Sequence, residues 1–309
     1  MPGRPVSEPP GTPASRHGRH PVGPAYTWTE ARALGVTRQQ IAEDGVVLGR
    51  GLYVSRGVDL TLDARCRAWR KRLPEDAAFG LGTAAALFGV ADPEPESLHV
   101  VLRPRRVLPQ HAELTVHART LDEDDCVDLD GLRVTSGAQT FLDLAASLWP
   151  FDLLALGDAL MRTEVLDAES LQRRLARADR VRGVVRARQW APHLTSRAAS
   201  HQESRLRYWL LVSDLPDPEV QVPVLDRWGH EVAHADLGYS RWKVALEYEG
   251  RQHAEPDQFG RDVDRYSLMA ADGWLVLRFA ARHAGPSAVV DRTRRALLSR
   301  GWRPGATTS

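Results

Sequence analysis

Residues 244–253, VALEYEGRQH, place a short apolar run directly before two glutamates one residue apart, a glycine and, three positions later, a histidine. On a strand successive side chains alternate faces, so Glu247 and Glu249 point the same way, with Cα atoms about 6.6 Å apart. The valine, alanine and leucine ahead of them mark a buried central strand rather than an exposed edge. Two carboxylates on one face of such a strand cannot both stay unpaired, because desolvating each charge costs several kcal/mol. The strand therefore requires a cation at its end, and the fold has to supply one.

Asp236 lies eleven residues before Glu247, a spacing that lets two strands pair as a hairpin around Ser240. Three acidic groups at one strand end form a hard-oxygen site suited to Mg²⁺, with Mn²⁺ as a substitute. A metal there would polarise a phosphoryl oxygen and supply hydroxide for attack on phosphorus. The neighbouring pattern predicts the scaffold. HQESRLRYWLLVS is an amphipathic helix through Leu206, Trp209 and Leu210. VQVPVLD, VAHADLGY and KVALEYEG are strands, with a turn at 227–230. A helix over DQFGRDVDRYSLMAADG, a strand WLVLRFA and a last helix DRTRRALLSRG complete a mixed sheet with helices packed on it.

The N-terminal half has a different texture. The first 24 residues carry seven prolines and four glycines, too little apolar content to fold, and are expected to be a disordered tail. From Thr27 the chain predicts a helix to Leu34 capped by Thr27 or Thr29, a break at Gly35, a second helix from Thr37 to Glu43, and a hairpin over VVLGRGLYV. That is the plan of a winged helix-turn-helix. A helix-prone stretch AAFGLGTAAALFGV, strands LHVVL, LTVHA and LRVTS, and helix from Ala138 to about Val184 follow. Seven arginines lie between Arg173 and Arg188 against the single acid Asp179. A solvated helix face is the first reading of that run and a phosphate-tracking surface the second. The expected divisions are a tail at 1–24, a winged helix-turn-helix at 25–76, an α/β and helical middle region at 77–195, a mixed-sheet domain at 196–300 and a tail at 301–309. The class is α/β in the broad α+β sense. The net charge of +1 excludes general attraction to polyanions and leaves nucleic-acid contact to local patches. No apolar run approaches the length of a membrane span, and a cytoplasmic location is expected. Cys66 and Cys126 lack metal-ligand spacing and are expected as reduced thiols.

Asp236, then Glu247-Tyr248-Glu249-Gly250 and His253, then Asp262 to Arg265 and Gly273 to Phe279, resemble the core of the PD-(D/E)XK nuclease superfamily, and more narrowly the endonuclease-like domains related to very-short-patch repair nucleases. The resemblance covers roughly residues 200–295. It implies a Mg²⁺-dependent DNA endonuclease with a restriction-endonuclease-like sheet. Asp236 and Glu247 would be metal ligands. Glu249, standing where the superfamily most often has lysine, would be a further ligand or the general base. His253 would assist proton transfer or contact phosphate, and Glu203 and Gln221 would be the upstream acid and strand glutamine. Asp262, Arg265 and Arg278 would brace the site or approach DNA. The N-terminal portion, through GTAAALFGV and DGLRVTSGAQTFLDLAASL, resembles actinobacterial proteins with an AbiEi-type antitoxin domain. Here Arg38, Gln39 and Gln40 would begin a recognition helix in the major groove, and Arg50 would reach phosphate from the wing. The alternative function is a catalytically inactive DNA-binding regulator or antitoxin. Implied partners are DNA, a second copy of the chain and a cognate toxin.

Overall fold

The computed structural model describes residues 22–305 apart from 92, 227, 250–255 and 281–284, with the side chains of 232 and 256–263 also outside the description. His253, residues 1–21 of the expected N-terminal tail and 306–309 of the C-terminal one lie outside the described residues, whereas Trp302, expected in that C-terminal tail, is buried in the core beside Leu297. Among the described residues, eleven α-helices and three sheets give the mixed α/β architecture the sequence predicts. The chain forms two compact units, the first from residues up to Phe79 with 96–120 and 128–132, the second from the remainder.

The first unit opens with strand β1 (Ala25–Thr27), helix α1 (Trp28–Ala33), helix α2 (Arg38–Asp44) and strands β2 (Gly45–Gly49) and β3 (Leu52–Ser55). Both helices begin in capping boxes. Thr27 pairs reciprocally with Glu30, and Thr37 with Gln40, so helix starts are fixed locally before any packing. Gly51 supplies the positive φ of 70° that the hairpin turn needs. The antiparallel sheet, ordered β1-β3-β2, covers a small core of Tyr26, Ala31, Val36 and Ile41. Helix α3 (Leu62–Arg70) buries Cys66 and Trp69, and Lys71 just beyond it reaches Glu30 at 2.7 Å. Strand β4 (Ala78–Phe79) follows.

Helix α4 (Leu81–Leu87) belongs to the second unit, and strands β5 (Leu98–Leu102) and β6 (Leu114–Ala118) to the first, where they run parallel. Here His99 and His117 stack with ring nitrogens 3.0 Å apart. Burial, then the neighbouring His99 and Arg119, lowers His117 from 6.5 to about 4. The folded protein thus refuses a proton that the unfolded chain accepts, so this contribution to stability is present above pH 6.5 and is lost as pH falls toward 4. Urea midpoints measured across that window should decline, and His117→Gln should flatten the decline.

Strands β7 (Cys126–Leu129) and β8 (Leu132–Thr135) lead into helices α5 (Gly137–Leu144), α6 (Pro150–Arg162), α7 (Ala168–Arg177) and α8 (Val184–Trp190). The continuous helical stretch expected from Ala138 is interrupted because Pro150 starts α6, Asp167 caps α7, and Gly183 precedes α8 in the left-handed region at φ 87°. A Cβ on Gly183 would sit 2.6 Å from the Ala146 amide nitrogen, so glycine is required there twice over. Phe141, Leu142, Leu153, Leu154 and Leu160 fill the core between these helices. Four of the seven clustered arginines tie separate segments together, and Arg173 pairs with Glu169 one turn back on α7. Arg174 meets Gln139 and Asp125, Arg177 meets Asp122 and Asp125, and Arg186 and Arg188 donate to carbonyls of Ala145, Leu148, Leu175 and Ala178.

Helix α9 (His201–Leu211), strands β9 (Glu219–Leu225), β10 (Glu231–Tyr239) and β11 (Val244–Glu249), helix α10 (Pro256–Ala271), strand β12 (Leu275–Ala280) and helix α11 (Pro286–Ser299) complete the second unit. The sheet order is β12-β11-β10-β9, antiparallel except for the parallel β11–β12 pair. The expected hairpin forms through a tight turn at 240–242. One sheet face, with Leu237, Val244, Leu246 and Phe279, packs on Leu206 and Leu210 of α9 and Val289 and Leu297 of α11. On the other, Val222, Ala235 and Ala245 meet Met269 of α10 and Trp274. Ala245 and Glu247 alternate with Leu246, so the glutamate is carried on the α10 side of the sheet.

Candidate functional site

The strand-end carboxylates are brought together, and each already has a partner. The β10–β11 register, with Leu237 opposite Leu246, sets Asp236 beside Glu247. Asp236 Oδ2 accepts the Tyr248 backbone N–H at 2.7 Å. Arg265, one helical face of α10, holds Nη1 at 3.2 Å and 3.0 Å from the two oxygens of Glu247. Arg278 Nε donates to Glu249 at 2.6 Å, and the Tyr266 hydroxyl donates to the same oxygen at 3.0 Å. Arg265 Nη2 in turn donates to the Tyr266 hydroxyl at 2.8 Å. The Tyr266 ring lies under both guanidinium groups, 4.8 Å from Arg265 and 4.4 Å from Arg278. On the α9 side, Gln221 Nε2 donates to Glu203 at 3.2 Å, and the same oxygen caps the Ala199 N–H at 2.9 Å.

Electrostatics separates the three strand-end acids. Burial, only partly offset by the Tyr248 N–H, raises Asp236 to about 6, and the nearby Glu203 and Glu249 charges add to it. Burial outweighs the Arg265 guanidinium at Glu247 and raises it to about 7, with Asp236 pushing the same way. The Arg278 hydrogen bond holds Glu249 below the usual carboxylate range. Three carboxylates and two guanidinium groups therefore share one small volume. Glu249 meets the two donors of Arg278 and Tyr266, which is a poor setting for a general base. Arg278 is half exposed, not buried as its apolar strand suggests, although its acidic partner is present. Asp262 lies on α10 with its side chain outside the described residues.

Mg²⁺ demands several oxygens at about 2.0–2.1 Å in near-octahedral array. Among the described residues no group of three or more His, Cys, Asp or Glu side chains is arranged to hold a metal. The carboxylates as folded point to a main-chain N–H, a guanidinium and a guanidinium–phenol pair. This arrangement does not fit the ion. Tyr266, which organises it, was not singled out by sequence reasoning; its position beside Arg265 on the helix was the available signal.

In the first unit, Arg38 and Gln39 are exposed on the first turn of α2, and Arg50 is exposed on the β2–β3 turn. The Arg38 guanidinium lies 5.3 Å over the Trp28 ring. Gln39 Nε2 donates to Glu43 at 3.1 Å. Gln40 differs from expectation: its Oε1 accepts from Thr37 N at 2.8 Å and Thr37 Oγ1 at 3.0 Å, so it closes the helix cap rather than presenting its carbonyl to a base. Arg32, missed from sequence, is exposed and lines with Trp28, Thr37 and Arg38 a cleft of about 390 Å³ at the helix turn.

Residues 77–192 match the family described as the AbiEi antitoxin C-terminal domain. The match ends before Glu203 and the carboxylate cluster. The uncharacterized protein Rv2248 of Mycobacterium tuberculosis strain H37Rv and the uncharacterized protein MT2308 of strain CDC 1551 are each 30% identical over 248 residues, spanning 78% of this chain and 89% of theirs. A crystal structure of the RV2827C protein from M. tuberculosis shares 19% identity over 65% of this chain and 79% of that chain at a TM-score of 0.41, too low a likeness to bear on fold or function. No described helix is long and apolar enough to cross a membrane.

Proposed function

This chain belongs to the family of the M. tuberculosis protein Rv2248, and on that premise we propose that it is a DNA-binding regulator of the antitoxin class, acting with a cognate toxin. The observation that carries the reading is the antitoxin-domain match at 77–192, preceded in sequence by two short helices and a hairpin whose second helix and turn expose arginine. A net charge of +1 gives no long-range pull on DNA, so affinity has to arise from this local surface. Arg38 and Gln39 would meet base edges from the start of α2, with Arg32 and Arg50 on phosphates.

The test is fluorescence anisotropy with a duplex from the region upstream of its own gene. Arg38→Ala is expected to weaken binding by about 1–3 kcal/mol and to relax sequence preference at one position, whereas Arg50→Ala should lower the salt slope by about 1 with little change in preference. Equal affinity for upstream and random duplexes would sink the regulator reading. The competing function is metal-dependent DNA cleavage, whose one observation is that Asp236 and Glu247 lie side by side at one sheet end, and which requires Arg265 to leave Glu247. Plasmid nicking by the wild type that Glu247→Gln abolishes would support it.

A further inference from the structure

We propose that Arg265 is the resident cation of the carboxylate cluster, so that the folded chain satisfies its own strand-end acids and closes the site to divalent metal. The inference is independent of the DNA-binding reading, since its test contains no DNA.

Glu247 is 5% exposed, and a carboxylate at that depth needs a positive charge beside it. Arg265 Nη1 is 3.2 Å from one oxygen of Glu247 and 3.0 Å from the other, the position from which a single cation serves both oxygens of one carboxylate. A guanidinium brings one charge, five donors and weak hydration, which suits a half-dry site better than an ion that surrenders water reluctantly.

Tyr266 fixes this choice. Its hydroxyl takes a hydrogen from Arg265 Nη2 and gives its own to Glu249, while its ring is stacked by both Arg265 and Arg278. One phenol thereby holds two arginines apart and aims each at a different glutamate. Glu249 is drawn to Arg278, and Asp236 is committed to the Tyr248 N–H. Among the described residues no oxygen cage remains for a shared ion. A metal entering beside Glu247 would have to displace Arg265 from both Glu247 oxygens and from the Tyr266 hydroxyl together. The cluster's work is then to fasten α10 to the end of β11.

The full-length chain is titrated with Mn²⁺ and with Mg²⁺ by isothermal calorimetry, and Mn²⁺ binding is also followed by electron paramagnetic resonance. Wild type is expected to show no saturable binding at millimolar metal. Arg265→Gln, folded by circular dichroism, is expected to gain saturable Mn²⁺ binding that disappears when Glu247→Gln is added. Wild-type binding that Glu247→Gln removes would overturn the proposal, and so would a folded Arg265→Gln that stays blind to both metals. Should Arg265→Gln fail to fold, Arg265→Met, which keeps the aliphatic stem and removes the charge beside Glu247, decides: saturable Mn²⁺ binding is the expected result, and a folded Arg265→Met that stays blind to Mn²⁺ overturns the proposal.

Discussion

Arg207→Ala is expected to cost about 3–5 kcal/mol of stability, because it strands a fully buried carboxylate. Arg207 Nη2 donates to both oxygens of Asp158, at 2.8 Å and 2.6 Å, and Nη1 reaches the His193 carbonyl at 2.6 Å. The side chains are 6% and 0% exposed. Ser204 Oγ and the Thr195 N–H, at 2.7 Å and 2.8 Å, complete the shell around Asp158. Even so, burial raises the Asp158 carboxyl against the pull of Arg207. Removing the guanidinium raises it further. A group whose folded pKa is raised contributes stability at low pH and loses it as pH climbs through the folded value, so the deficit of Arg207→Ala should be smaller at pH 5 than at pH 8. Urea unfolding at the two values checks this. Asp158→Asn combined with Arg207→Met, which removes both charges, should lose less than Arg207→Ala alone; equal losses would mean that the ion pair is not what holds α6 to α9.

Phe141→Ala should be comparably damaging, about 3–5 kcal/mol, through a cavity at the centre of the helical core. Phe141 is completely buried among Leu142, Leu153, Leu154 and Leu160. Its ring is seated against Gly157, where an added Cβ would lie 2.8 Å from Phe141 Cε2 and 2.5 Å from Leu194 Cδ2. The glycine provides the space and the ring occupies it together with Leu194, so truncation opens a cavity beside Gly157. Phe141→Leu keeps most of the volume and is expected to lose less than half as much. A loss below about 1 kcal/mol for Phe141→Ala in urea titrations would show that this core repacks freely.

Much of the local structure was legible because short-range chemistry decides it. Thr27 and Thr37 announce helix starts through their capping partners three residues on, and the spacing from Asp236 to Glu247 predicts the hairpin that sets them side by side. Periodicity was less able to place breaks in the 138–184 region, where Pro150 and the left-handed Gly183 override continuous helix propensity. The pairings that define the carboxylate site depend on tertiary structure and were read only in part. A cation requirement followed from Glu247 and Glu249 alone, but which cation answers it depends on α10 crossing the sheet with Arg265 and Tyr266 on its inner face. The resemblance implies Mg²⁺, while in the fold Arg265 and Arg278 pair with Glu247 and Glu249. Likewise Asp158 and Arg207, 49 residues apart in sequence, give no local sign of one another, and the arginine run finds Asp122 and Asp125 some fifty residues upstream. Gln40 shows the opposite limit: its local role as a cap, with Oε1 taken by Thr37, was available from the Thr37-x-x-Gln40 pattern.

The most direct measurement is a nuclease-protection footprint of the full-length chain on the region upstream of its own gene, made with and without Mg²⁺. A discrete protected segment, lost in Arg38→Ala and bounded by DNA that stays intact in Mg²⁺, is the predicted result; an unprotected fragment, or one that the protein itself cuts when Mg²⁺ is added, would contradict the account.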